Sequence, residues 1–349
     1  MKPEAKKDIR ALSREELRDF FARRGEPAFR GNQVYEWLWK KGAHSFAGMT
    51  NLSLPLRQEL EAEFTINHIQ VDRMQRSGDG TIKNAVKLFD GLVVESVLIP
   101  TETRTTACVS SQVGCSLDCN FCATARLKRM RNLNPDEIYD QVLVIDRQSR
   151  LYFGRPLSNV VFMGMGEPMM NYPNVMKAIE KITSEEGLGL SPKRITVSTS
   201  GVPKMIRKMA DEGPRFKLAV SLHSAVDATR TSIMPFNATF PLSELREAIG
   251  YWYSQTRSRV TYEYVVWEGI NDQPADIEAL IDFCRAAPCK VNLIEYNPIG
   301  DERFRQAPEA TLARYVRALE GAGITVTVRR SRGVDIDAAC GQLANKAGG

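Results

Sequence analysis

A regular alternation of short β-rich runs and helical stretches, from about residue 104 to 330, restricts the fold of this chain more than any other feature. The β-rich runs are 105–109, 159–163, 194–198, 217–221, 260–266, 290–296 and 325–329, with helical stretches such as 135–147, 242–256 and 309–320 between them. Strands that are apolar along most of their length are buried on both faces. A helix between each strand and the next lets them run parallel through right-handed crossovers. Six or so such units predict an α/β fold, a partial (β/α)6 barrel short of the full eight. Barrels of this kind carry their chemistry on the loops that follow the C-terminal strand ends.

Two smaller segments precede the barrel. Residues 1–65 read as helical. Ser13 and Glu16 form a capping box, Val34, Trp37 and Leu38 share one face of "FRGNQVYEWLWKK", and Pro55 suits a first helical turn. In residues 66–103 the turn signals "SGDG" (77–80) and "FDG" (89–91) divide short β runs, predicting a β-hairpin extension that ends in "LVVESVLIP". Glu95 lies inside that apolar run, so its carboxylate faces either water or a site. The expected organisation is a helical accessory domain (1–65), a β extension (66–103) and the barrel (104–349).

The three barrel-loop cysteines Cys115, Cys119 and Cys122 are spaced C-x3-C-x2-C, and Cys108 lies seven residues upstream. No apolar run approaches the roughly 18 residues of a membrane helix, and "MKPEAKKDIR" has no apolar leader core. The expectation is a cytoplasmic, membrane-free protein, and in a reducing compartment clustered cysteines bind metals or catalyse more often than they form structural disulfides. Three thiolates are one short of a closed tetrahedral zinc site, no second CxxC is present, and His44, His68 and His223 are scattered. A cubane iron–sulfur cluster with one iron left open, a zinc site and inert thiols all remain open on spacing alone.

Other strand-end loops carry polar residues. "GMGEP" supplies Gly166 and Glu167, suited to an ammonium group; "STSG" supplies Ser198; "SLHS" supplies Ser221, Leu222 and His223; "NP" supplies Asn297. Each of these also makes an ordinary turn or helix cap. Cys340, in "RGVDIDAACGQL", reads by itself as a small buried residue, as do Cys284 and Cys289. A net charge of +5 permits a nucleic-acid partner without requiring one. The basic runs "RLKRMR" (126–131) and "VRRSR" (328–332) are either solvated faces or an RNA footprint.

The cysteine spacing, with Phe121 before the last cysteine, resembles the radical S-adenosylmethionine superfamily. "CVSSQVGC", "FRGNQVYEWLW", "NVVFMGMGEPMMN", "CKVNLIEYNP" and "DIDAACGQL" closely resemble its RlmN group of RNA methyltransferases, over nearly the whole chain. The resemblance implies a [4Fe-4S] cluster on Cys115, Cys119 and Cys122, whose open iron binds S-adenosylmethionine. That nucleotide would meet Gly166, Glu167, Ser198, Ser221, Leu222, His223 and Asn297. It further implies two S-adenosylmethionine molecules per turnover: one methylates Cys340, and the other yields a 5′-deoxyadenosyl radical that takes hydrogen from the thiomethyl group. The resulting methylene radical adds to C2 of an adenine. Glu95 acts as general base, and Cys108 as the resolving thiol that forms a transient disulfide with Cys340. The implied substrates are 23S rRNA and, for some members, tRNA next to the anticodon, with the base extruded from its stack. Arg330 and Arg332 are the candidate RNA contacts, a flavodoxin-type protein the electron donor, and a monomer the expected state. A Cfr-like adenine-C8 methyltransferase that confers antibiotic resistance is the alternative within the superfamily. A zinc-stabilised RNA-binding module without catalysis is the alternative outside it.

Overall fold

The structure, a computed structural model, describes residues 6–344. Residues 1–5, where the stretch expected to lack a leader core begins, and 345–349 lie outside the described residues.

The chain opens with a two-residue strand β1 (Lys7–Asp8) and helices α1 (Arg14–Ala22), α2 (Phe29–Trp39) and α3 (Leu54–Glu63). A second short strand, β2 (Phe64–Thr65), pairs in parallel with β1, so the segment closes where it began. The capping box is formed: Glu16 N donates to Ser13 Oγ at 3.1 Å and Ser13 N to Glu16 Oε2 at 2.7 Å. Pro55 stands in the first turn of α3. The buried face of α2 differs from expectation. Val34, Tyr35, Leu38 and Trp39 are buried, whereas Trp37 is half-buried because its indole N–H reaches out to Asn51 Oδ1 at 2.6 Å.

The β extension is a three-stranded meander rather than a hairpin: β3 (Gln70–Arg76), β4 (Ile82–Lys87) and β5 (Val93–Pro100). It continues directly into the barrel sheet, because β5 pairs antiparallel with β6 (Thr105–Cys108). After β6 the short strands β7 (Gln112–Val113) and β8 (Arg131–Asn132) pair with each other. The other barrel strands are β9 (Asn159–Phe162), β10 (Ile195–Thr199), β11 (Lys217–Ser221), β12 (Val260–Val265), β13 (Cys289–Ile294) and β14 (Thr325–Arg329). All ten long strands form one sheet in the order β14-β13-β12-β11-β10-β9-β6-β5-β4-β3. From β6 to β14 every pairing is parallel.

Helices α4 (Pro135–Phe153), α5 (Tyr172–Thr183), α6 (Pro203–Asp211), α7 (Asp227–Ile233), α8 (Leu242–Thr256), α9 (Pro274–Cys284) and α10 (Glu309–Gly321) fill the crossovers. Six crossovers between seven parallel strands make the partial (β/α)6 barrel. Helix α4 runs past residue 147 because its first stop signal is Gly154, which ends it in the left-handed conformation. Its buried Ile138, Val142 and Ile145 each contribute roughly 1.5–3 kcal/mol of transfer free energy. Among the described residues no helix is long and apolar enough to cross a membrane.

Candidate active site

A solvent-open cleft lies at the C-terminal ends of the parallel strands. The cysteine loop forms one wall. Gly114 turns the chain into it with φ +75°, and a Cβ there would stand 2.6 Å from Lys128 O, so no side chain fits. The β7–β8 pair and a bridge between Cys115 and Lys128 clasp the ends of the loop. Its tip is tied to the region of α7: Asn120 N donates to Ile233 O at 2.9 Å, and Phe236 N to Asp118 Oδ1 at 3.2 Å. Cys115, Cys119 and Cys122 all face the cleft.

Burial raises the Cys115 thiol to about 12, with Cys122 adding to it, and burial plus both neighbouring cysteines pushes Cys119 well above the ordinary range. Three thiols crowded on one wall of the cleft are a donor set suited to a cationic cluster. Among the described residues no three His, Cys, Asp or Glu side chains converge as they would around a single metal ion. Three thiols with no fourth protein ligand among the described residues fit a cluster that leaves one iron open better than a closed zinc site.

Opposite the loop, Gly166 (φ +96°) brings backbone against Gln112, where a Cβ would meet the Gln112 side chain at 2.5 Å. Glu167 is buried and lines the cleft, but both its oxygens are engaged: Met169 N donates to Oε1 at 3.0 Å and Ser200 N to Oε2 at 2.8 Å. Burial raises its pKa, and those two N–H groups counter the rise. Ser198, Ser221, His223 and Asn297 also line the cleft. His223 adopts φ 57° and accepts from Val265 N at Nδ1, 3.2 Å away. Burial, then the Arg230 charge, lowers its pKa to about 3, so the ring is neutral. Leu222, also in the expected set, differs from its neighbours in where its side chain lies. Its side chain is wholly buried in the core rather than in the cleft, because neighbouring strand-end residues alternate in direction.

The C-terminal segment closes the site. Cys340 opens into the cleft. Its thiol is accessible from that opening yet surrounded by protein on its other sides, and burial raises its pKa against the pull of Arg329. The segment is stitched to the cysteine loop by Ala123 N donating to Gly341 O (2.7 Å) and Thr124 Oγ1 to Leu343 O (2.6 Å). Asn297 Nδ2 donates to Cys340 O at 3.2 Å. Cys108 sits behind this segment, 7% exposed, with its thiol pushed up to about 12 by burial and by the nearby Cys340. Both are free thiols, so the implied disulfide is not formed here.

Glu95 does not face water, and it does not line the cleft. It is 1% exposed, Ala344 N donates to its Oε2 at 2.8 Å, and Lys83 Nζ lies 3.2 Å from its Oε1. Arg330 and Arg332 also stand outside the cleft. Arg330 is exposed and pairs with Glu295 (2.6 Å) and Glu309 (2.9 Å), while among the described residues Arg332 reaches Asp79 O at 3.5 Å.

Three charged groups in or around the cleft escaped the sequence reading. Arg329 lines the cleft and bonds Glu263 Oε2 at 3.1 Å, whose Oε1 accepts from Asn292 Nδ2 at 2.8 Å. Buried Arg230 ties two strand-end loops together through Ser200 O (2.5 Å) and Leu222 O (3.1 Å). Lys83 is the third. The available signal was the one that marked Glu95: a lone charged residue inside an apolar strand, as Glu263 is in "TYEYV".

A partial parallel barrel with a three-thiol loop after its first strand is the architecture of a radical S-adenosylmethionine enzyme. Residues 109–284 match the radical SAM superfamily, and residues 7–66 match the ribosomal RNA large subunit methyltransferase N-terminal domain. A protein of Flavobacterium johnsoniae named "Probable dual-specificity RNA methyltransferase RlmN" is 71% identical over 341 residues, covering 98% of each chain. One of the same name from Christiangramia forsetii is 72% identical over 341 residues, covering 98% of this chain and 97% of its own. A crystal structure of a radical SAM methyltransferase from Sphaerobacter thermophilus superposes with a TM-score of 0.90 at 40% identity, covering 97% of this chain and 99% of that one. The chain belongs to the RlmN family of radical S-adenosylmethionine RNA methyltransferases, and its cofactors are a [4Fe-4S] cluster and S-adenosylmethionine. Neither the C8-directed alternative nor the non-catalytic zinc module is favoured by these matches.

Proposed function

We propose that this enzyme methylates C2 of an adenosine in 23S rRNA, and of the tRNA adenosine next to the anticodon, with Cys340 as methyl carrier. The observation that carries the reading is that Cys340 opens into the same cleft as Cys115, Cys119 and Cys122. When bound, the cluster and its nucleotide supply a one-electron cleavage that makes a carbon-centred radical able to take hydrogen from a methyl group. The cleft residues Gly166, Glu167, Ser198, Ser221, His223 and Asn297 hold that nucleotide, with neutral His223 offering an uncharged face. Cys340 accepts a methyl group on sulfur and presents it to the extruded base.

From the radical adduct between the Cys340 methylene and the base, Glu95 takes the proton on the substituted ring carbon, and one electron leaves to an acceptor of the kind that supplied the radical step, so that the adduct becomes a closed-shell thioether. Cys108 then attacks the Cys340 sulfur. The S–S bond forms as the S–CH2 bond breaks, and the released carbon takes up a proton to become the methyl group. A reductant of the flavodoxin type supplies electrons for the radical step, and a thiol reductant resets the cysteines. This chemistry suits a monomer in the reducing cytoplasm.

The test is nucleoside mass spectrometry of protein-free 23S rRNA and tRNA treated with anaerobically reconstituted enzyme and trideuteromethyl S-adenosylmethionine. Because the carbon arrives as a methylene, 2-methyladenosine carrying two deuterons is expected. Three deuterons, or label at C8, would overturn the proposal.

A further inference from the structure

Glu95, assigned above as the proton acceptor, is held by a buried lysine. Lys83 on β4 lies diagonally across from Glu95 on β5, because the register pairs Ala85 with Glu95 and Lys83 with Val97. The two side chains are 5% and 2% exposed, and Nζ lies 3.2 Å from Oε1. The same ammonium donates to Asp337 O at 3.3 Å, in the segment that leads to Cys340. The other carboxylate oxygen accepts from Ala344 N, on the far side of Cys340 in the chain. One buried cation therefore joins the proton acceptor to the segment that brings the methyl carrier.

The segment itself is anchored elsewhere. Ser77 Oγ donates to Asp335 Oδ1 at 2.6 Å, Gly333 N to Asp79 Oδ2 at 3.0 Å, and Ala123 N to Gly341 O at 2.7 Å. Losing the Lys83–Asp337 contact leaves these three in place. Losing the ammonium takes away the charge that lies 3.2 Å from Oε1 of a buried carboxylate and helps to fix its geometry. The effect of removing Lys83 therefore falls on the carboxylate more than on Cys340.

We propose that Lys83 is a positioning residue for proton abstraction: it fixes the Glu95 carboxylate against the methyl-carrier segment so that the proton on the substituted ring carbon is taken once the adduct has formed. The proposal rests on the assignment of Glu95 and Cys340 made above. The C–H pair stays with the base, the proton passes to Glu95, and Lys83 neither gives nor takes one.

The experiment compares wild type, Lys83→Met and Lys83→Arg with full-length 23S rRNA. Three readouts are followed: methylation of Cys340 by intact-protein mass, covalent RNA–protein species on denaturing gels, and released 2-methyladenosine. For Lys83→Met, Cys340 methylation within about twofold of wild type, release slowed at least tenfold and accumulation of the covalent species are expected. Lys83→Arg should recover most of the release. Release by Lys83→Met within twofold of wild type would overturn the proposal. So would parallel loss of Cys340 methylation and release with no covalent species, since Lys83 would then only place the segment. If Lys83→Met does not fold, Lys83→Gln takes its place, with the same expected and overturning results. Failure of the wild type itself to give dideuterated 2-methyladenosine would instead overturn the underlying reading, before any variant is compared.

Discussion

At the scale of single residues, the two carrier-site thiols differ in their surroundings more than in their chemistry. Cys340 is open to the cleft, whereas Cys108 is packed in β6, where burial and the neighbouring Cys340 push its thiol up to about 12. A thiol of that kind is protonated at neutral pH and a weak nucleophile, so the pair does not close into a disulfide on encounter with mild oxidants. Iodoacetamide at pH 7 is expected to label Cys340 at least tenfold faster than Cys108 in the native enzyme. Labelling of Cys108 should climb steadily between about pH 8 and 11, as its thiolate fraction grows toward a pKa of about 12. Peptide mass spectrometry reads both rates, and equal labelling at neutral pH would show that the two environments are alike. Removal of the resolving thiol has a separate consequence. Cys108→Ala should still accept methyl on Cys340 but retain RNA on the protein, giving a covalent species on denaturing gels and release reduced by at least 100-fold.

At the scale of elements, the helical segment docks on the first crossover helix through charge as well as packing. Arg10 makes two bonds of 2.7 Å to Asp140 on α4 and lies 4.8 Å from the Trp39 ring, while Tyr139 Oη donates to Trp39 O at 2.7 Å. Asp136, one turn earlier on α4, is buried, and its Oδ2 has no hydrogen-bond partner among the described residues. Burial raises its pKa from 3.8 to about 7, with Arg10 opposing and Asp8 and Asp140 reinforcing. Folded Asp136 keeps its proton up to about pH 7 while the unfolded chain loses it near 3.8, so the folded state binds more protons between those values. Stability attributable to this group therefore falls as pH rises through that window and is level above it. Asp136→Asn should stabilise the enzyme on the order of 2 kcal/mol at pH 8 and progressively less toward pH 4. Thermal unfolding at pH 5 and pH 8 tests this, and a gain that does not change with pH would remove the buried carboxylate as its cause. The barrel strands were readable in the sequence because parallel strands buried on both faces are apolar runs, as in 159–163 and 217–221. The cysteine loop was readable because its three thiols are local in sequence. Lys83, Arg230 and the Glu263–Arg329 pair were not, since each acquires its role from a partner on another strand or loop. "SGDG" read as a simple turn, yet its Ser77 and Asp79 also grip the segment that precedes Cys340. Register across a sheet decides such pairings, and one chain without its fold does not display register.

At the scale of the whole molecule, a net charge of +5 is modest for an enzyme of RNA, so the placement of unpaired cations matters more than their number. Many of the arginines singled out by the basic runs are already neutralised. Arg126 pairs with Asp301, Arg131 with Asp90 and Glu137, and Arg330 with Glu295 and Glu309. A guanidinium that already faces two carboxylates gains less from a phosphate, because the phosphate competes with them and suffers their repulsion. Arg332, which is exposed and meets a backbone carbonyl at 3.5 Å, carries no such handicap. Each phosphate contact contributes about one unit to the slope of log affinity against log salt. Arg332→Gln should therefore weaken RNA binding severalfold at low salt and flatten that slope by about 0.7–0.9. Arg330→Gln should leave the slope unchanged within error, because the charge it removes was internally balanced. Filter binding or fluorescence anisotropy with a 23S rRNA fragment between 50 and 200 mM salt, conditions chosen for a measurable slope, separates the two. A slope loss at Arg330 as large as at Arg332 would mean that RNA strips Glu295 and Glu309 from their arginine on binding. The strand-end Glu295, which lines the cleft, would then be freed as the RNA arrives.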